Sequence, residues 1–176
     1  IAASVIALGA DALASGSERL RRDVEPTFQA ITLNLDADKP DYRGSVRIQL
    51  RVKAATDTFQ LHAEGITIKR VTFRNPKGIV PVSFRPAGAT MITVSTKAPL
   101  KPGAYTLDID FTNTLRTRAQ CLYGVEAGGR SYTFTQFEAD DARKAFPCWD
   151  EPSFKIPYQV TLIVPKTHQA VSNTPI

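Results

Sequence analysis

The sequence predicts an all-β protein, an antiparallel β-sandwich, and two observations lead to this prediction. Short runs of alternating apolar and polar residues follow one another from Asp23 onward, which is typical of strands with one buried face. Turn signals rich in proline and glycine separate these runs at a spacing that suits a sandwich. With 176 residues, the chain is long enough for one domain with a sizeable core.

The predicted strands are placed from this alternation. It is clearest in 104–112, where apolar residues occupy every second position from Tyr105 to Phe111 and polar residues lie between them. We place strands at 28–35, 43–53, 57–63, 66–74, 79–84, 90–96, 104–112, 121–126, 130–137 and 157–164, with a last one near 168–172. The turns between them are predicted at 39–41, 75–78, 86–88, 101–103 and 127–129.

The first residues differ from the rest. Residues 1–22 are interpreted as an N-terminal extension with a partial helical stripe, so a short N-terminal helix is expected at most, and 23–176 as the β domain. Ala12 to Ala14 resemble the cleavage site of an export signal, although Asp11 argues against it. The protein is expected to be exported if 1–14 is a signal remnant, and cytoplasmic otherwise. No apolar run is long enough to span a membrane.

The formal net charge of +5 does not predict nucleic-acid binding. Basic residues such as Arg47 and Arg51 alternate with apolar ones in 43–53, which is the pattern of a solvated strand face. The two cysteines, Cys121 and Cys148, permit a disulfide without implying one, and a buried thiol is the simpler interpretation of Cys148.

Residues 135–155 mix charged and aromatic side chains more densely than a plain core strand or loop would. The segment reads TQFEADDARKAFPCWDEPSFK. A strand is predicted to end near Glu138, and Asp140 and Asp141 are placed to cap a short helical turn through 142–145. Pro147 must end that turn, because the residue before a proline avoids helical geometry.

This segment, followed by Ser-Asn-Thr-Pro at 172–175, resembles the signature of the N-terminal β domain of zinc aminopeptidases of the aminopeptidase N family. Weaker matches upstream extend the resemblance over roughly residues 25–176. It departs from the family at Trp149, at Thr174 and in the run 121–124. The resemblance implies a saddle-shaped sandwich that is truncated at its C-terminal end and belongs to a longer protein.

The resemblance also implies a role for two residues of this chain. Glu138 would bind the free α-ammonium of a peptide substrate, together with a Glu of a Gly-x-Met-Glu-Asn strand that this chain lacks. Gln136 would line the pocket for the first substrate side chain, and the Glu138–Ala139 peptide bond would be cis. The residues alone leave alternatives open: an ion pair of Glu138 with Arg143 or Lys144, and a cross-strand hydrogen bond of Gln136.

The same resemblance implies zinc in the full-length enzyme, held by a His-Glu-x-x-His helix and a distant Glu. This chain has only His62 and His168, in no such motif, so we expect both to be structural and the chain to contain no catalytic residue and no metal ligand. Alone, it should be inactive and bind no zinc. Its expected partners are the catalytic domain of the same polypeptide and peptides with a free N-terminus.

The remaining charges of 140–155 are interpreted as structural, paired around a buried corner that is expected to face the catalytic domain. The corner is formed by Phe146, Pro147, Trp149 and Phe154. Two other functions stay open at this point. The chain could be part of a non-catalytic, peptidase-like scaffold or protein-interaction domain, or a freestanding sandwich for adhesion or carbohydrate binding.

Overall fold

A computed structural model describes residues 19–175, and nearly all of its regular secondary structure is β-strand. The strands are β1 Val24–Asn34, β2 Asp41–Val52, β3 Thr56–His62, β4 Thr67–Asn75, β5 Gly78–Val80, β6 Val82–Ala87, β7 Met91–Leu100, β8 Gly103–Thr114, β9 Cys121–Ala127, β10 Arg130–Gln136 and β11 Tyr158–Ile163. The helical structure is one 3₁₀ turn, Ala142–Lys144, within the described residues. The predicted all-β class is confirmed, whereas the expected N-terminal helix falls on residues that the structure does not describe.

The strands form three sheets. A six-stranded sheet has the order β11-β1-β2-β8-β4-β5, a three-stranded sheet the order β3-β7-β6, and β9 and β10 form a two-stranded hairpin. All pairings are antiparallel except that of β1 with β11, which is parallel. The sandwich is therefore antiparallel throughout apart from one edge, where the chain returns beside its first strand. No helix among residues 19–175 is long and apolar enough to cross a bilayer.

The core lies between the six-stranded and the three-stranded sheets. Phe59 of β3 meets Phe73 of β4 with their ring centroids 5.6 Å apart, and Phe73 stacks on Tyr105 of β8 at 5.1 Å. Trp149, from the connection between β10 and β11, stacks on Phe59 with ring centroids 6.3 Å apart. The alternating residues of β2 and β8 place their apolar side chains in this core, as the sequence predicts.

The opposite face of the six-stranded sheet carries the charges. Arg47 of β2 donates to Asp108 of β8 at 2.6 Å, and Arg74 of β4 reaches the same carboxylate at 2.5 Å. Arg70 pairs with Asp110 at 2.6 Å. Such exposed pairs each contribute about 0–1 kcal/mol, so this is a solvated face rather than a source of much stability.

Two strand predictions are wrong. The predicted strand 79–84 is two strands, β5 and β6, which belong to different sheets because Pro81 between them has no N–H for a ladder and the chain crosses from one sheet to the other there. Residues 168–172 form no strand. The chain turns after Pro165, whose carbonyl accepts from the His168 N–H at 2.9 Å, and Val171 is then 87 % exposed.

The two cysteines are free and buried, so they form no disulfide. Burial raises the pKa of both thiols, most strongly for Cys148. Cys121, the first residue of β9, has a φ of 65°, a backbone conformation that residues other than glycine seldom adopt. Both thiols therefore have the character of small apolar core residues, as expected for Cys148.

Gly44 of β2 lies where the core leaves no room for a larger side chain. A Cβ at this position would lie 2.5 Å from Phe111 Cζ and 3.0 Å from Leu33 Cδ2, on the two neighbouring strands. Gly44→Ala should therefore lower the free energy of unfolding by about 1–3 kcal/mol through overpacking, measured by urea denaturation. Gly124→Ala is the matched control, because its Cβ would meet nothing closer than 3.7 Å. Equal stability of the two variants would contradict this packing.

Candidate functional site

The candidate site lies at the end of the β9–β10 hairpin. The tip of the hairpin turns at Gly128 and Gly129, which both have positive φ (58° and 72°), as a two-residue turn with this twist requires. At the other end, Gln136 is paired with Cys121 and is the last residue of β10. The chain leaves the strand there, and the side chains of Gln136 and Glu138 are both exposed.

The side chain of Gln136 holds the main chain of Glu138. The Glu138 N–H donates to Gln136 Oε1 at 3.0 Å. Among residues 19–175, the side chain of Gln136 therefore forms no cross-strand hydrogen bond, and its Oε1 accepts from the backbone two residues ahead. The Glu138–Ala139 peptide bond is cis, which confirms that expectation.

The carboxylate of Glu138 is in no ion pair within residues 19–175. The two cations that the sequence offered as partners are engaged elsewhere. Arg143 Nε donates to Asp150 Oδ2 at 2.9 Å, and Lys144 Nζ donates to Asp141 Oδ1 at 2.7 Å. The carboxylate is therefore free to bind a group from outside the domain.

Asp141 does not cap the short helical turn with its side chain, so that prediction is wrong. Its Oδ1 accepts instead from Lys144 Nζ and, at 3.1 Å, from Gln120 Nε2. A charged ammonium three residues ahead is a stronger donor than the backbone N–H of a three-residue turn. Burial alone would raise the pKa of Asp141, but the donations from Lys144 and Gln120 outweigh it and hold this pKa below its ordinary value.

The ion pair between Arg143 and Asp150 is structural, as the sequence predicts for these two charges. Both side chains are mostly buried, with exposed fractions of 13 % and 14 %. Arg143 also donates from its backbone N–H to Asp150 Oδ2 at 3.1 Å and from Nη2 to the Asp150 carbonyl at 2.7 Å. These bonds close the segment 143–150 on itself.

His62 is a structural residue, as expected. It is buried at the end of β3, where its backbone N–H and carbonyl form a reciprocal pair with Cys148 at 2.9 and 3.0 Å. Its Nδ1 accepts from the Asp150 N–H at 3.2 Å, which requires a neutral ring with the proton on Nε2. Burial, followed by the charge of Arg143, lowers the pKa of His62.

Three polar residues that sequence reasoning missed attach this segment to the six-stranded sheet. Gln29 of β1 donates to the Pro147 carbonyl at 2.9 Å, Tyr42 of β2 to the Ala145 carbonyl at 2.8 Å and Asn113 of β8 to the Lys144 carbonyl at 2.7 Å. Gln29 was detectable from the sequence, because it shares the buried face of its strand with two apolar residues, Ile31 and Leu33.

The predicted corner of Phe146, Pro147, Trp149 and Phe154 is buried within this domain. One exposed apolar surface lies on the hairpin, on a face shared by Tyr123, Val125, Tyr132 and Phe134, which we call the aromatic face. Val125, Tyr132 and Phe134 are 40 %, 41 % and 47 % exposed. The alternation along β10 places Gln136 on this same face, so the aromatic face leads to the candidate site.

The described residues do not fit a catalytic zinc site. Their one group of three metal-ligating side chains is Asp36, Asp38 and His168, which lies on the protein surface and has a single histidine. Lys39 already pairs with Asp36 at 3.1 Å. The other histidine, His62, uses Nδ1 as an acceptor inside the core.

The family described as Peptidase M1 N-terminal domain matches residues 25–176. Aminopeptidase M1-B of Oryza sativa subsp. japonica is 33 % identical over 168 residues, which are 92 % of this chain and 19 % of that protein. Aminopeptidase N of Acetobacter pasteurianus is 29 % identical over 90 % of this chain and 45 % of its own length. The puromycin-sensitive aminopeptidase of Caenorhabditis elegans is 29 % identical over 89 % of this chain. The chain thus spans about a fifth of the length of the rice relative.

The neutral state of His62 should make the folded protein less stable at low pH. Its pKa is lower in the folded state than in the unfolded chain, where it is about 6.5. The unfolded state therefore takes up the proton first as the pH falls, and stability that is complete above about pH 6.5 is lost below it. This loss is at most about 1.4 kcal/mol between pH 6.5 and 5.5, the free energy of one proton over one pH unit.

Urea denaturation of the wild type and of His62→Asn at pH 7.5 and 5.5 measures this contribution. Asparagine Oδ1 can accept from the Asp150 N–H but does not titrate, so the variant should lose less stability on acidification. His168→Asn, which changes the histidine outside the core, should retain the wild-type loss. An unchanged loss in His62→Asn would show that another group causes it.

Proposed function

The chain belongs to the M1 peptidase family as its N-terminal domain, and from this membership we propose that it is the part of a zinc aminopeptidase that binds the free amino terminus of peptide substrates. The observation that carries the proposal is the unpaired carboxylate of Glu138 at the end of β10. It is exposed, whereas the carboxylates of Asp141 and Asp150, in the same segment, are bonded within the domain.

An enzyme that removes one residue at a time must recognise a cationic chain end. A carboxylate does so by charge-assisted hydrogen bonds, which are stronger than neutral ones and strengthen further when water is excluded. A carboxylate already paired inside its own domain would have to give up that partner first. Glu138 has no such cost, and its backbone is held by Gln136 Oε1.

Gln136 has two roles in this proposal. Its Oε1 accepts the Glu138 N–H at 3.0 Å, and its exposure at the end of the hairpin supports a contact with the first side chain of the substrate. The zinc ligands and the residues that cleave the peptide bond belong to a region of the polypeptide outside this chain, since the donor set described here does not fit them.

The aromatic face is the proposed contact with the catalytic domain. Monomeric domains seldom leave contiguous apolar patches uncovered. The domain that completes a site around Glu138 must also lie beside the end of β10, where the aromatic face terminates. The corner at 146–154 offers little surface for this contact, because its apolar side chains are enclosed by their own domain.

The role of Glu138 is tested in the full-length enzyme. Glu138→Ala should lower kcat/KM for amino-acid amides roughly 30- to 700-fold, because a charge partner of the α-ammonium is lost. This corresponds to a loss of about 2–4 kcal/mol in transition-state binding. Glu138→Gln keeps the size of the side chain and should show how much of the loss is due to charge. Glu126→Gln, an exposed glutamate near the tip of the hairpin, should retain normal kinetics. Wild-type kcat/KM in Glu138→Ala would remove this residue from the site.

The isolated chain provides a separate test of the proposed division between domains. Purified residues 1–176 should hydrolyse no amino-acid amide and retain no zinc after dialysis, since the proposed catalytic groups lie outside them. Activity that is abolished by a chelator would show that the chain holds a metal site of its own.

The proposed interface is tested by comparing one substitution in two contexts. Phe134→Ser should change the stability of the isolated chain by less than about 1 kcal/mol, because the ring is half exposed. In the full-length enzyme it should cost more than about 1 kcal/mol and make the domains easier to separate by limited proteolysis. Phe84→Ser, on β6 and similarly exposed, should show no such difference. Equal effects in both contexts would place the aromatic face outside the interface.

A further inference from the structure

The turn that carries Glu138 is held at both ends while its carboxylate stays exposed. On one side, Gln136 Oε1 accepts the Glu138 N–H at 3.0 Å. On the other, the Asp141 N–H donates to the Phe137 carbonyl at 3.0 Å, which closes a single turn around residues 138–140. The direction in which Glu138 leaves the domain therefore depends on where Asp141 is fixed.

Asp141 is fixed by two donors from different parts of the chain. The residue is only 6 % exposed, and its Oδ1 accepts from Lys144 Nζ at 2.7 Å and from Gln120 Nε2 at 3.1 Å. Gln120 lies directly before β9, whose first residue, Cys121, is paired with Gln136. The carboxylate thus ties the turn to the base of the hairpin from which Gln136 projects.

We propose that Asp141 is a positioning residue, which aims Glu138 at the substrate amino terminus without touching the substrate. The inference rests on the proposed function of Glu138. A buried carboxylate is a costly way to stabilise a turn, since it must be desolvated and then paired. What it supplies is a fixed geometry, because displacing a binding group by about 1 Å is enough to lose much of its interaction.

A pair of inhibitors separates positioning from general stability in the full-length enzyme. Leucine hydroxamate carries the α-ammonium, and 4-methylpentanohydroxamate is the same molecule with hydrogen in its place. The inhibition constant of 4-methylpentanohydroxamate divided by that of leucine hydroxamate measures recognition of the ammonium alone, and this ratio does not depend on the fraction of enzyme that is folded.

Asp141→Ala should reduce this ratio roughly tenfold or more, and Asp141→Asn should reduce it less, because the amide oxygen can still accept from Gln120. In a Glu138→Ala background, Asp141→Ala should cause no further reduction, since both changes remove the same interaction. Asp140→Asn is the matched control: this neighbouring carboxylate is exposed, 3.9 Å from Arg143, and its replacement should leave the ratio unchanged.

The outcomes distinguish the two proposals. If Glu138→Ala lowers the ratio and Asp141→Ala lowers only the yield or kcat, Asp141 merely supports the fold and the inference is overturned. If Glu138→Ala leaves the ratio intact, the proposed function itself fails. Should Asp141→Ala not fold, Gln120→Met removes one of the two donors and must still reduce the ratio, or the inference falls.

Discussion

The buried ion pair of Arg143 and Asp150 holds together the segment on which both the core and the candidate site depend. Asp150 accepts from the Arg143 side chain and backbone, while its own N–H donates to His62 Nδ1. The Arg143 carbonyl in turn accepts from the Glu64 N–H, just beyond β3. One pair therefore joins the short helical turn, the Trp149 region and the three-stranded sheet. A buried ion pair adds little folding stability compared with apolar side chains of similar volume. Removing one of its partners, however, typically lowers the free energy of unfolding by about 3–5 kcal/mol.

The same segment separates charges with structural roles from one that is available for binding. Asp141 and Asp150 lie three and 12 residues after Glu138 in sequence, and each has a cation at hydrogen-bond distance. Once Arg143 and Lys144 are taken up in this way, neither is left to neutralise Glu138. The unpaired state of the Glu138 carboxylate is thus a consequence of the ion pairs beside it.

The domain also has an uneven distribution of apolar surface. The aromatic residues at 146–154 are enclosed, whereas those of the β9–β10 hairpin are not. Three polar side chains, Gln29, Tyr42 and Asn113, hold this region in place by attaching the carbonyls of 144, 145 and 147 to the six-stranded sheet. Within residues 19–175, the aromatic face of the hairpin has no such attachment, which agrees with the proposal that another domain covers it.

The sequence by itself determined the features that depend on local periodicity and on short motifs. The resemblance of the segment 135–155 to a known family implied the cis bond after Glu138, which the structure confirms. Alternation defined the strands of 41–75 and 91–114 with their buried sides, and proline and glycine marked the turns. These features are encoded by neighbouring residues, because strand side chains alternate with a period of two and turns have specific backbone requirements.

Only the tertiary structure decided which distant residues meet. It placed β11 parallel to β1, divided 79–84 between two sheets, gave Asp141 to Gln120 and Lys144 rather than to a helix cap, and made His62 neutral by burying it beside the Asp150 N–H. Each of these outcomes depends on which of several groups forms a given hydrogen bond or fills a given buried space. The groups are up to 129 positions apart, as for Gln29 and Tyr158, so the local sequence does not determine which of them come together.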